Sequence, residues 1–297
     1  VLPRCLAVGL AVAVVVSPGV ATACAVCGAG DPTLTVMGDE KAFSGRARAA
    51  VELRVGDVRV GQPGVSEIGL SEERVEFAGA YAPTPTLLLM VAVPLLIRQA
   101  AFLDGAQRRM VTIGDVEIRA KQFVWSARKG PFKHQMAIQG GVKVPSGPLE
   151  RDDHGAPLPA ALQPGMGAVT PFAGVFYGMG RGPWSLYASM TAYIPFPVRD
   201  ASHGSDSLRS SATFQRQVGR AFVARIGLDT RLDGSCTTDG VADPNSGGFV
   251  AYLSPALVVS PVEDLLLGAG VHVPFVQALH GYHHESSVGV LSAYYDF

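Results

Sequence analysis

Ser286–Phe297 (SSVGVLSAYYDF) carries the pattern on which the fold is decided. Leu291, Ala293, Tyr295 and Phe297 occupy alternate positions, with Ser292, Tyr294 and Asp296 between them. Successive side chains of a strand point to opposite faces, so this period of two marks a strand with one apolar face. The same period recurs upstream. Ala47, Ala49, Val51, Leu53 and Val55 alternate with Arg48, Glu52 and Arg54. Met136, Ile138, Gly140, Val142 and Val144 alternate with Gln135, Gln139 and Lys143. Phe222, Ala224, Ile226 and Leu228 alternate with Arg225, Asp229 and Arg231. Twelve such strands are predicted, at 44–55, 70–81, 86–97, 111–124, 133–144, 168–179, 184–194, 207–217, 221–232, 248–259, 263–273 and 286–297.

Composition suits a chain partly solvated by lipid. Of 297 residues, 48% are hydrophobic and only 16% charged, against about a quarter charged in soluble domains. The net charge of −1 supports no nucleic-acid-binding surface. The most apolar stretch, Thr86–Ile97 (TLLLMVAVPLLI), is too short to cross a bilayer as a helix but long enough for a strand. Predicted connections alternate between short ones, such as Ala82–Pro85 and Gly180–Pro183, and long ones at 56–69, 98–110, 145–167, 195–206, 233–247 and 274–285. An even strand number with short turns at one end and long loops at the other predicts an all-β fold. It is a closed antiparallel up-and-down transmembrane β-barrel of about 12 strands. A soluble sandwich also has regular short strands; the low charge, the loop alternation and the C-terminus argue against it. Closure requires 44–55 to pair with 286–297, leaving no backbone group unsatisfied in lipid. Tyr81, Trp125, Tyr177, Trp184 and Tyr294 fall near strand ends, where aromatic girdles anchor.

The terminal strand resembles the final strand of Gram-negative outer-membrane barrels, which implies an outer-membrane location and recognition of Phe297 by the barrel assembly machinery. The other terminus reads as a secretory signal peptide over 1–23: Arg4, an apolar run from Leu6 to Val16, then Ala21-Thr22-Ala23. A lipid-modified Cys24 is the competing reading, although leucine is missing three positions before it. Residues 24–43 are assigned to a periplasmic segment, and 44–297 to the barrel.

With apolar faces outward, the lumen receives Arg46, Arg48, Glu52 and Arg54 from the first strand, and Arg74 and Glu76 from the second. The fourth adds Asp115, Glu117, Arg119 and Lys121, the fifth Lys133 and Lys143, and later strands Arg209, Arg225, Asp229, Arg231 and Asp264. Two roles are open: a neutralising ion-pair network, since buried charges must be paired, or a polar pathway with a slight cationic excess. Met90, Ala92, Ser189, Ser254 and Ala256 predict a softer wall opposite the charged one.

The segments VPLLIR (93–98), GDVEIRAK (114–121), GVKVPSG (141–147), LQPGMGA (162–168) and LVVSP (257–261), with the terminal YDF, make most of the mature chain similar to one barrel group. These are the outer-membrane transporter-like proteins of the meta-pathway of phenol degradation type. The resemblance implies passive movement of small hydrophobic or aromatic molecules across the outer membrane, with no cofactor. Its motifs are turns and strand starts, and they carry over no binding residues.

Cys24 and Cys27 form C-x-x-C followed by Gly28, which lacks the histidine of a haem site; a local disulfide or an inert tail fits better. His280, His283 and His284 supply the donor types of a zinc or copper site if they converge in space. His284-Glu285-Ser286 superficially suggests a lipid hydrolase, but a serine nucleophile needs a histidine and an orienting group assembled from separated positions. A non-conducting scaffold is the remaining alternative. Its functional parts would be the extracellular loops or a periplasmic partner docked on the Cys24–Gly30 tail.

Overall fold

The computed structural model describes residues 45–151, 155, 158, 162–165, 167–197, 202–203, 205–219, 221–238, 241–242 and 244–297. The expected signal peptide and the 24–43 segment with its Cys24–Cys27 pair lie outside the described residues. Twelve antiparallel strands form the wall. They are β1 (Ala47–Val60), β2 (Ile68–Thr84), β3 (Leu87–Phe102), β4 (Gln107–Ile113 and Val116–Lys129), β5 (Phe132–Val144) and β6 (Ala168–Arg181). Then come β7 (Trp184–Tyr193), β8 (Ser207–Val218), β9 (Phe222–Asp233), β10 (Gly248–Val262), β11 (Leu265–Leu279) and β12 (His283–Glu285 and Val288–Asp296). Each pairs with its sequence neighbours, and β1 also pairs with β12 from Arg48↔Asp296 to Val55↔Gly289. The ladder therefore closes on itself. In the described residues no helix is long and apolar enough to cross a membrane, which says nothing of crossing by strands.

Two strands are interrupted for visible reasons. In β4 the ladder breaks at Gly114–Asp115, where Gly114 donates its amide to Pro94 O at 2.8 Å. A Cβ on Gly114 would lie 3.0 Å from the Pro94 ring and 3.2 Å from Pro164 O, so a side chain here would crowd the break. In β12 the break at Ser286–Ser287 is bridged by Ser286 N donating to Asp57 O at 3.0 Å. Farther along β4 a bulge between Phe123 and Trp125 turns Trp125 onto the outer face beside Val124.

Outward positions hold Val51, Val55, Phe77, Val91, Ile118, Ile138, Val175, Met190, Ile226, Leu228, Leu253, Leu267 and Leu291, all exposed. The alternate positions hold buried polar groups, including Glu52, Glu76, Glu117, Arg119, Lys121, Asp229 and Arg231. This inversion of the usual protein interior is that of a barrel with lipid outside. Short connections stand where expected at Pro85–Thr86, Gly130–Pro131, Gly182–Pro183 and between Val218 and Phe222, whereas the last, Glu263–Asp264, takes the first residues of the strand expected at 263–273 because β10 runs on to Val262. Gly130 and Gly182 adopt φ of 57° and 55°, which the following prolines could not supply.

At the opposite end, three connections expected to be long loops are strand for half their length or more. β1 runs to Val60, β2 starts at Ile68, β3 reaches Phe102 and β11 reaches Leu279. Beyond the apolar belt the outer face of β1–β4 turns polar (Asp57, Arg59, Glu73, Gln99 and Arg109 point outward), while the inner face turns apolar through Leu70, Ala100 and Met110. The apolar residues therefore change faces while the hydrogen-bonded pairing continues.

Candidate channel interior

Charges inside the barrel are arranged by register. Glu52 faces Glu76 across β1–β2, and Arg54 faces Arg74. Like charges thus stand side by side, and each finds its partner two residues along its own strand. Arg54 Nε donates to Glu52 at 2.6 Å, and Arg74 to Glu76 at 2.8 Å. On β4 Arg119 reaches Glu117 at 2.7 Å, and Lys143 approaches the other oxygen of Glu117 at 3.5 Å. Positions i and i+2 share a face of a strand, so the sequence pattern itself builds these pairs.

A second group links strands across the barrel toward the long-loop end. Arg231 binds Asp233 at 2.6 Å and also pairs with Glu285, which in turn accepts from the Tyr252 hydroxyl. Gln277 clamps the Glu285 backbone by donating to its carbonyl and accepting from its amide, both at 2.9 Å. Between these groups Asp229 accepts from Ser211 at 2.6 Å and from Ser254 at 2.5 Å, while His272 Nδ1 lies 2.7 Å from the Ser254 hydroxyl. That cluster borders a small, partly open pocket of about 70 Å³, whose lining includes Glu52, Ser254, Ala256, Gly270, His272 and Tyr294.

Aromatic rings occupy the inner face of β4–β7. Phe123 meets Phe176 edge-on at 6.2 Å, and Phe172 meets Tyr193 at 4.9 Å. Cations lie against them: Lys121 Nζ at 3.5 Å from the Phe176 centroid, Arg119 at 4.6 Å from Phe172 and Arg209 at 4.8 Å from Tyr193. The rings thus supply part of the charge compensation that carboxylates supply on β1 and β2.

The sorting of charged and soft residues is axial, not wall against wall. Met90 and Ala92 pack with Ala50, Ala78, Ala80 and Tyr294 toward the short-turn end. At the long-loop end Leu158 and Leu162 pack on Leu70, Ala100 and Met110. Leu158 and Leu162 of the 145–167 connection therefore lie against the inner wall. Arg98, 1% exposed, holds it by donating to Gln163 O at 2.7 Å while pairing with Glu72 at 2.6 Å. Neither Arg98 nor His272 stood out in the sequence, although both have the inward parity of their strands.

Several expected lumen residues sit elsewhere. Asp264 is in the exposed β10–β11 turn with φ of 64°, paired with Arg46. Asp115 lies in the β4 break and accepts from Gly147 N at 3.3 Å, so it fixes the 145–167 connection. Lys133 has inward parity but is exposed at the barrel's short-turn mouth, and Arg48 pairs with Asp296 near that rim. Arg225 and Lys143 are half-buried on the inner face.

The proposed metal triad does not assemble. His283 and His284 are consecutive strand residues, so one is buried inside and the other exposed outside, and His280 is exposed. Among the described residues no group of three or more His, Cys, Asp or Glu is placed to hold a metal ion. His283 has a fully buried side chain whose two ring nitrogens lack a hydrogen-bond partner. It stands beyond the apolar belt, and burial with the nearby Arg231 guanidinium pushes its pKa down to about 4. Glu285 is engaged by Arg231 and Tyr252, not by His284.

Closed, antiparallel, up-and-down and twelve-stranded, with its polar face inward, the chain has the architecture of an outer-membrane barrel. Among solved structures it is similar to an outer membrane channel from Pseudomonas putida F1, with a TM-score of 0.67 and 16% identity over 88% of this chain and 98% of that one. Looser likenesses include the translocator domain of the autotransporter NalP from Neisseria meningitidis (TM-score 0.48, 10% identity, 87% of this chain and 90% of that one). The Ralstonia pickettii toluene transporter TbuX gives a TM-score of 0.41 at 10% identity, over 91% of this chain and 96% of that one. No protein-family model matches the chain, and no curated protein matches it.

Proposed function

We propose that this barrel resides in the outer membrane of a Gram-negative bacterium and is a passive channel or transporter for small molecules, with aromatic and largely apolar solutes favoured. The carrying observation is the coexistence, inside one closed ladder, of paired charges, inward-facing aromatic rings and a small, partly open pocket. A barrel that served only to anchor loops would need no such mixture. Compensated charges line the interior without a strong net field, while the rings of Phe123, Phe172 and Phe176 form an aromatic wall on which an aromatic solute would take the place of the cations now seated there. Beside the pocket, Ser254 and His272 supply hydrogen-bonding groups. The alternation of turns and loops supports an orientation with the short-turn end toward the periplasm, and Phe297 would serve as the signal for barrel assembly.

A scaffold that does not conduct is the second reading, favoured by Leu158 and Leu162 covering the inner wall at the long-loop end. Planar-bilayer recording in potassium chloride and uptake of radiolabelled benzoate by proteoliposomes separate the two. The channel reading predicts discrete conductance steps and uptake above protein-free vesicles. Neither signal from a correctly folded barrel would establish the scaffold instead.

A further inference from the structure

We propose that the short-turn rim across β4–β8 is a binding site for anionic phospholipid headgroups. Lys129 ends β4, Arg181 ends β6, and Arg216 lies near the end of β8, so five adjacent strands present three cations at one level of the barrel. All three have outward parity, are exposed, and make no ion pair among the described residues. From Ile118 to Leu149, from Ala168 to Arg199 and from Ser207 to Leu228 the sequence contains no Asp or Glu, so no neighbouring carboxylate can neutralise this arc. The other side of the same rim differs: Glu263 and Asp264 form the β10–β11 turn, and the Pro85–Thr86 turn carries no charge.

A lipid is the favoured occupant, over an acidic protein, because the cations are seated on rings that face the bilayer. The Arg181 guanidinium lies 5.2 Å from the Phe132 centroid, and that of Arg216 lies 4.6 Å from Trp184. Trp184 itself stacks on Phe214 at 5.2 Å. Such rings mark the depth of the lipid headgroups, so the guanidiniums are held where phosphates lie. Between them His134 donates to or accepts from the Tyr177 hydroxyl at 2.8 Å, one ring away from Trp125, adding polar groups at the same height. A negative headgroup would complete the missing charge, and its acyl chains would follow the apolar wall.

This inference uses only the membrane placement of the belt, and it holds whether or not the barrel conducts. The chain has two tryptophans, Trp125 and Trp184, and both stand at this rim, 47% and 38% exposed. Their fluorescence in vesicles carrying brominated phosphatidylglycerol or brominated phosphatidylcholine at equal mole fraction is therefore a direct readout. The apparent preference for the anionic lipid should be roughly fivefold or more, since each surface cation is worth about a factor of five, and it should fall with added salt. In the triple variant Lys129→Gln, Arg181→Gln, Arg216→Gln the preference should vanish while quenching by phosphatidylcholine persists, a control that the barrel is inserted. Equal quenching by both lipids in the wild type would overturn the site and leave an acidic periplasmic protein as the occupant to test. Absence of quenching by either would instead overturn the membrane placement itself.

Discussion

Glu117 shows what a buried carboxylate in this barrel requires. It lies opposite Lys143 across the β4–β5 ladder and shares a strand face with Arg119, whose guanidinium also donates to the Tyr193 hydroxyl at 3.0 Å. Replacing Arg119 with Met should destabilise the barrel by about 3 kcal/mol, because it leaves Glu117 buried with weakened compensation. Adding Glu117→Gln to that variant should restore part of the loss, and urea unfolding in lipid vesicles completes the double-mutant cycle. His283 sets a different test. Its folded pKa of about 4 lies below its ordinary 6.5, so the docked His283–Glu285 segment keeps its full stability above pH 6.5. It loses stability as the pH falls from there toward 4, where the docked form also takes up the proton. Asp233 opposes this shift, His284 adds to it, and Glu285, whose pKa burial raises, gains stability on acidification. Protection of the Glu285 amide against hydrogen exchange, taken relative to its intrinsic rate at each pH, should therefore fall more between pH 7 and pH 4.5 in the wild type than in His283→Gln; equal pH dependence of the protection would refute the assignment. Residues such as Glu52, Arg119 and Asp229 were legible from parity alone. His283 was not, because its burial depends on the Arg231–Glu285 network built from β9 and β12.

Glycine placement decides packing at the level of the strand. A Cβ on Gly141 of β5 would come within 2.0 Å of Ile118 O and 2.6 Å of the Phe172 ring, whereas Gly79 of β2 has nothing within 4 Å. Gly141→Ala should cost about 1–3 kcal/mol by overpacking, lowering the temperature at which the folded barrel loses its gel mobility, and Gly79→Ala should leave that temperature unchanged. The 145–167 connection is the element that sequence reading resolved least. Its hydrophobic residues have no strand period, and what pins it is Arg98, 65 residues before Gln163. Arg98→Ala should release Leu158 and Leu162 from the inner wall and raise single-channel conductance. The strand extensions at 56–60, 68–69 and 98–102 were hidden for a different reason. Pairing there continues while the apolar residues change from the lipid side to the inner side, as Leu70 and Ala100 do, so outward hydrophobic alternation marks only the part of each hairpin that meets lipid.

Across the whole molecule, one sequence property produces both solvents' surfaces: alternate residues of a closed ladder go to lipid or to the interior. The pairing of the first and last strands followed from that property, because an open edge in hydrocarbon would strand a row of backbone donors and acceptors. The axial layering of the interior did not follow, since the height of a residue depends on the stagger between strands, which sequence does not display. Single cysteines carrying nitroxide labels along β7 offer the most direct test. At Ala188, Met190 and Ala192 the labels should be relaxed by oxygen dissolved in the bilayer, and at Ser189 and Thr191 they should be shielded from it, giving a period of two. A uniform profile along the strand, or one with Ser189 and Thr191 facing the lipid, would contradict the account.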